Sequence, residues 1–106
     1  MPEQPFRVSG TRHRLLGKQI ELQLAPGFVL KFTPAEASSL SFALVAVRDG
    51  ISPEREIYMS PVASDAAFAG TVLDRGMSIA MPAGTLELDW LGVGLLAESL
   101  AAAIGC

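Results

Sequence analysis

The chain has 106 residues, half of them apolar and 18% charged, with a formal net charge of −3. That length sets one domain over residues 1–106, able to bury roughly 65% of its unfolded surface without staples. The acidic balance argues against a general affinity for nucleic acid. A mean hydropathy of +0.39 at this size predicts an apolar surface patch, and so a second copy or another partner.

The charge is uneven along the chain. Residues 1–31 carry five basic against two acidic side chains, and residues 32–106 carry three against nine. The one cysteine is Cys106. A lone thiol closes no internal disulfide, so nothing points to an oxidising compartment. The opening MPEQPFRVSG lacks the apolar run of a secretory leader. The most apolar run, Trp90–Ile104, spans about 15 residues, short of the ~20 that cross a bilayer. A cytoplasmic protein with no membrane segment is expected.

Phe6 and Val8 flank Arg7 as a short strand. Residues 19–24, QIELQL, alternate apolar and polar, the pattern of a half-buried strand. Ala25-Pro26-Gly27-Phe28 suits a type II turn, with proline second and glycine third. Phe28, Leu30 and Phe32 then form the return strand. Thr33-Pro34-Ala35-Glu36 spells a helix start. Threonine caps, proline takes the first helical position and glutamate closes a capping box. The helix is predicted to run to about Arg48, with Ala37, Leu40, Leu44 and Val47 as its apolar stripe. Strands are predicted at 55–62, 68–74, 77–81 and 85–89. A last helix over 90–104 carries Leu96, Leu100 and Ile104. Residues 20–47 and 77–104 share one order: strand, proline–glycine turn, strand, helix. The fold class is α+β, a mainly antiparallel sheet with two helices on one face, in the order β-β-β-α-β-β-β-β-α.

Several motifs fail on their chemistry. Gly92-Val93-Gly94-Leu95-Leu96-Ala97 spells a dinucleotide fingerprint. The strand and the ribose-binding acid that must follow have no place before residue 106. Small residues that let the helix pack closely explain it better. Gly10 to Lys18 has the wrong spacing for a phosphate loop, and Gln19 stands where a hydroxyl is needed. His13 and Cys106 make no zinc set, so no metal and no cofactor are expected. Glu54 and Glu56 flank Arg55, while Glu87 and Asp89 share a strand face about 6–7 Å apart. They read as a polar face, with Asp89 placed to cap the last helix.

One stretch remains, GTRHRLLGK, residues 10–18. It is expected as a loop tip joining the first two strands. Arg12, His13, Arg14 and Lys18 are its candidate anion-binding residues, since arginine forks hold phosphate or carboxylate. Strands followed by a helix, twice over, resemble the Whirly and PUR-type single-strand-binding folds in topology. That resemblance implies aromatic side chains on the sheet for base stacking. The strand candidates for this are Phe28, Phe32, Phe68 and Tyr58, with the phenylalanines better suited to a core.

The expectation is a small non-enzymatic interaction or regulatory protein that forms a homodimer, with no catalytic residues. One alternative is a nucleic-acid or anion-binding module built on the basic loop. Another is a small-ligand protein or enzyme with its pocket at a dimer seam.

Overall fold

The computed structural model describes residues 5–15 and 17–105, His13 through its backbone alone. Cys106 lies outside the described residues. The chain is α+β, and its elements follow the predicted order. Strands β1 (Arg7–His13), β2 (Gly17–Ala25) and β3 (Phe28–Phe32) lead into helix α1 (Pro34–Arg48). Strands β4 (Glu56–Met59), β5 (Phe68–Leu73), β6 (Gly76–Met81) and β7 (Gly84–Asp89) lead into α2 (Trp90–Gly105).

The strands divide into two antiparallel sheets, β1-β2-β3 and β4-β5-β6-β7. Each is a simple meander of neighbours in sequence. The division falls at α1, because β4 pairs with β5 and not with β3. On β2 and β3 the alternation holds as read. Ile20, Leu22, Leu24, Phe28, Leu30 and Phe32 are buried, and Val29 and Lys31 are exposed. Gly27 has φ +81°, the left-handed third position of the type II turn.

The start of α1 is as the sequence spells it. Thr33 Oγ1 accepts the Glu36 N–H at 3.1 Å, and Glu36 Oε1 accepts the Thr33 N–H at 2.8 Å. Two of the donors that every helix start leaves without partners are thus satisfied reciprocally. Asp89 caps α2 by accepting the Gly92 N–H at 2.8 Å.

The two helices pack on each other, and Ser41 donates its hydroxyl to the Ala97 carbonyl at 2.8 Å. Helix α2 touches β1 and β2 of one sheet and β6 and β7 of the other. Helix α1 touches β2, β3 and β4. One core results, running from Leu22 and Phe32 through Leu40, Leu44, Leu96 and Leu100 to Phe68 and Ile79. Each such side chain, wholly removed from water, contributes about 1.5–3 kcal/mol. No described helix is long and apolar enough to cross a membrane.

Candidate functional site

The basic stretch is not a loop. Arg12 and His13 are the last residues of β1, Arg14 lies in the turn and Lys18 belongs to β2. β1 extends this far because its ladder with β2 runs in unbroken register from Arg7↔Gln23 to His13↔Gly17. Arg12 and Lys18 stand directly opposite each other, a placement that repels like charges. The C-terminal end of α2 offsets it. The Lys18 ammonium donates to the Ile104 carbonyl at 2.8 Å. That carbonyl belongs to the last turn, where oxygens lack helical partners and carry partial negative charge. Lys18 thus acts as a cap for a helix that begins 72 residues after it. Arg12 and Arg14 are exposed.

Two other sequence candidates, Asp89 and Gly94, have structural tasks. Asp89 is held by its cap. Gly94 is buried because Arg48 lies across it. A Cβ there would stand 2.7 Å from Arg48 Nη1. Among the described residues, no group of three or more His, Cys, Asp or Glu side chains is placed to hold a metal ion. Phe28, Phe32 and Phe68 are buried, and of the four aromatic strand candidates Tyr58 alone is well exposed. The described strands therefore offer one such ring and no stacking platform.

An open cleft of about 520 Å³ lies beside the β5–β6 turn and the end of β7. Met77 and Leu88 contribute apolar wall, and Asp74, Arg75, Glu87 and Asp89 contribute charge. The Trp90 indole N–H donates to the Asp74 carbonyl at 3.0 Å and its backbone N–H to the Arg75 carbonyl at 3.1 Å, which fixes the turn. Among the described residues no Ser, Cys, His or Lys lines this cleft, and its ionisable groups are Asp74, Arg75, Glu87 and Asp89.

The surface that stands out is the solvent side of the helix pair. Helix α1 buries Ala37, Leu40, Leu44 and Val47, and α2 buries Val93, Leu96, Ala97, Leu100 and Ala103. At about 100° per residue, Phe42 and Leu91 fall on the sides opposite these stripes. Phe42 is 79% exposed and Leu91 74% exposed. Between the helices runs a groove of about 330 Å³ lined by Arg48, Trp90, Leu91, Gly94, Leu95 and Glu98. Arg48 is fixed at its rim by Asp49, with Nε 2.9 Å from Oδ1. Its pKa is raised above an already high value, first by that hydrogen bond, then by the charge of Asp49, with Glu98 adding to it. Arg48 stays a cation wherever the protein is folded.

The sequence reading did not single out Phe42 or Leu91. The signal was present: each is a large apolar residue two or more positions off its helix's buried stripe. The chain matches no protein-family model, no curated protein and no solved structure.

Proposed function

We propose that this chain is a small cytoplasmic, non-enzymatic interaction protein with a regulatory role, which self-associates through the solvent face of α1 and α2. One observation carries this reading: Phe42 and Leu91 stand in water on adjacent helices, although each would gain about 1.5–3 kcal/mol from burial. A helix-pair face repeated by a two-fold axis is self-complementary, which is what a symmetric dimer needs.

The test is molar mass by light scattering over a wide concentration range, for the parent and for Phe42→Glu and Leu91→Glu. A parent dimer that both substitutions convert to monomer is the expected result. A parent that stays monomeric throughout would overturn the reading.

Anion or nucleic-acid binding at the end of the β1–β2 hairpin is the second reading. It rests on Arg12 and Arg14 being exposed beside Lys18. It predicts oligonucleotide binding that weakens steeply with salt and disappears in Arg12→Ala/Arg14→Ala.

A further inference from the structure

β3 is an edge strand, and edges are where sheets recruit other chains. In an antiparallel ladder, alternate residues turn their N–H and C=O toward the partner strand and the others turn them away. Both backbone groups of Lys31 meet the hydroxyl of Ser64, with Lys31 N 2.6 Å and Lys31 O 3.1 Å from Oγ. Lys31 therefore points its backbone away from β2, and by the same alternation so does Val29. Ser64 sits where a residue of a neighbouring strand would sit, and its hydroxyl supplies one acceptor and one donor in place of a backbone.

The segment around Ser64 is held at a second point. Glu36, whose Oε1 completes the α1 capping box, accepts the Val62 N–H through Oε2 at 3.1 Å. Pro61 beside it is buried. Between this segment and β3 lies a cavity of about 310 Å³, lined by Phe28, Val29, Lys31, Ala63, Ser64 and Ala66 among others. The guard is therefore fastened at Lys31 and at Glu36, with space beneath it beside Val29.

We propose that residues 61–66 are a guard over the β3 edge, and that with Ser64 displaced this edge accepts the β3 strand of a second copy. The chemistry of the edge fits its own copy. With Leu30 on the two-fold axis, Val29 faces Lys31 of the second copy, and the backbone groups of both point across the seam. Each copy gives up its two bonds to Ser64 and gains two backbone bonds, so the exchange is close to balanced. No like charges stand opposite each other in this register, and Lys31 keeps Glu21 of its own β2 at 3.9 Å. Leu30 meets Leu30 on the core row, so the two three-stranded sheets become one of six. This seam is separate from the helix-pair face and does not depend on it.

The experiment uses Leu91→Glu as the background, so that the helix face contributes nothing. Into it go Ser64→Ala alone, and Ser64→Ala with Val29→Lys or Val29→Glu. Association is read by light scattering, and folding by circular dichroism. Ser64→Ala is expected to produce concentration-dependent dimers. Val29→Lys puts a cation opposite Lys31 of the second copy and should weaken them, and Val29→Glu should tighten them. The two differ by about tenfold or more in affinity, since the two charges act with opposite sign and symmetry supplies each contact twice. Val29 is already 40% exposed, so either charge is tolerated in the folded chain. Ser64→Ala that leaves the chain monomeric, or Val29→Lys and Val29→Glu with the same effect, would overturn the proposal.

Discussion

Glu36 is asked to do two things at once, and its removal should show both. One carboxylate oxygen caps the first turn of α1, and the other holds Val62 in the guard over β3. Glu36→Ala removes both acceptors. The lost half of the capping box costs about 1 kcal/mol, and the bond to Val62, exposed to water, costs roughly 0.5–1 kcal/mol. Alanine returns a few tenths of a kcal/mol, about the difference in helix propensity. The net loss is about 1.5 kcal/mol, which for a domain of this size lowers Tm by roughly 6 °C. Glu36→Gln separates the two tasks. The amide keeps one acceptor and turns an NH₂ toward the other N–H, so about half of the loss is expected. Thermal melts followed by circular dichroism read both numbers. Thr33→Ala, combined with Glu36→Ala, gives a coupling of about 0.5 kcal/mol or more if the two side chains act as one box. A Glu36→Ala melt indistinguishable from the parent, or Glu36→Gln as damaging as alanine, would refute the double role.

Other substitutions probe single features. Asp89→Ala removes the cap of α2 and should cost about 1 kcal/mol, while Asp89→Asn keeps most of it, both read from urea midpoints. Gly94→Ala would place its Cβ 2.7 Å from Arg48 Nη1, at the far end of a long side chain that can shift while Nε keeps Asp49. The helical preference of alanine, about 1 kcal/mol, should leave that variant as stable as the parent or better. Gly76→Ala is the contrast. Its Cβ would lie 1.8 Å from the Leu88 carbonyl oxygen, which is ladder backbone and has no room to yield. It should cost about 3 kcal/mol or more, seen as a collapse of the melting transition. Lys18→Met should cost about 0.5–1 kcal/mol through the unsupported end of α2, and hydrogen exchange should show that last turn fraying first.

The parts of the fold that were legible in the sequence are those with a local cause. Thr33, Pro34 and Glu36 specify a helix start within four residues, and Asp89 does the same for α2. β2 and β3 alternate because one face of each is wet and the other dry. β1 was read too short because the row it turns to the core side is Val8, Gly10 and Arg12, which carries little apolar signal. Gly10 lies where the end of α2 comes close, 3.6 Å from its would-be Cβ to the Ala103 carbonyl. Arg12 stands past the covered part of the sheet. Neither cause is visible until the helix, far along the chain, is in place. The break into two sheets was hidden for the same reason. It shows only once β4 is seen to pair with β5, leaving Ser64 and not a strand at the edge of β3. The candidate surface follows the same rule. Phe42 and Leu91 lie off the apolar stripes already in the sequence, and only the packed helices show that both stay exposed.

The way α2 touches both sheets bears on how the chain comes to be folded at all. Every strand that α2 covers precedes it, and the bond that fastens its end spans 86 positions, from Lys18 to Ile104. As the polypeptide emerges during synthesis, the dry rows of both meanders are exposed before the helix that closes them exists. Neither meander completes its core alone, so the two should gain order together, in one late step slowed by the long loop that must close. Until that step the apolar rows of both meanders lack the helix that covers them, so α2 is the element that completes the core.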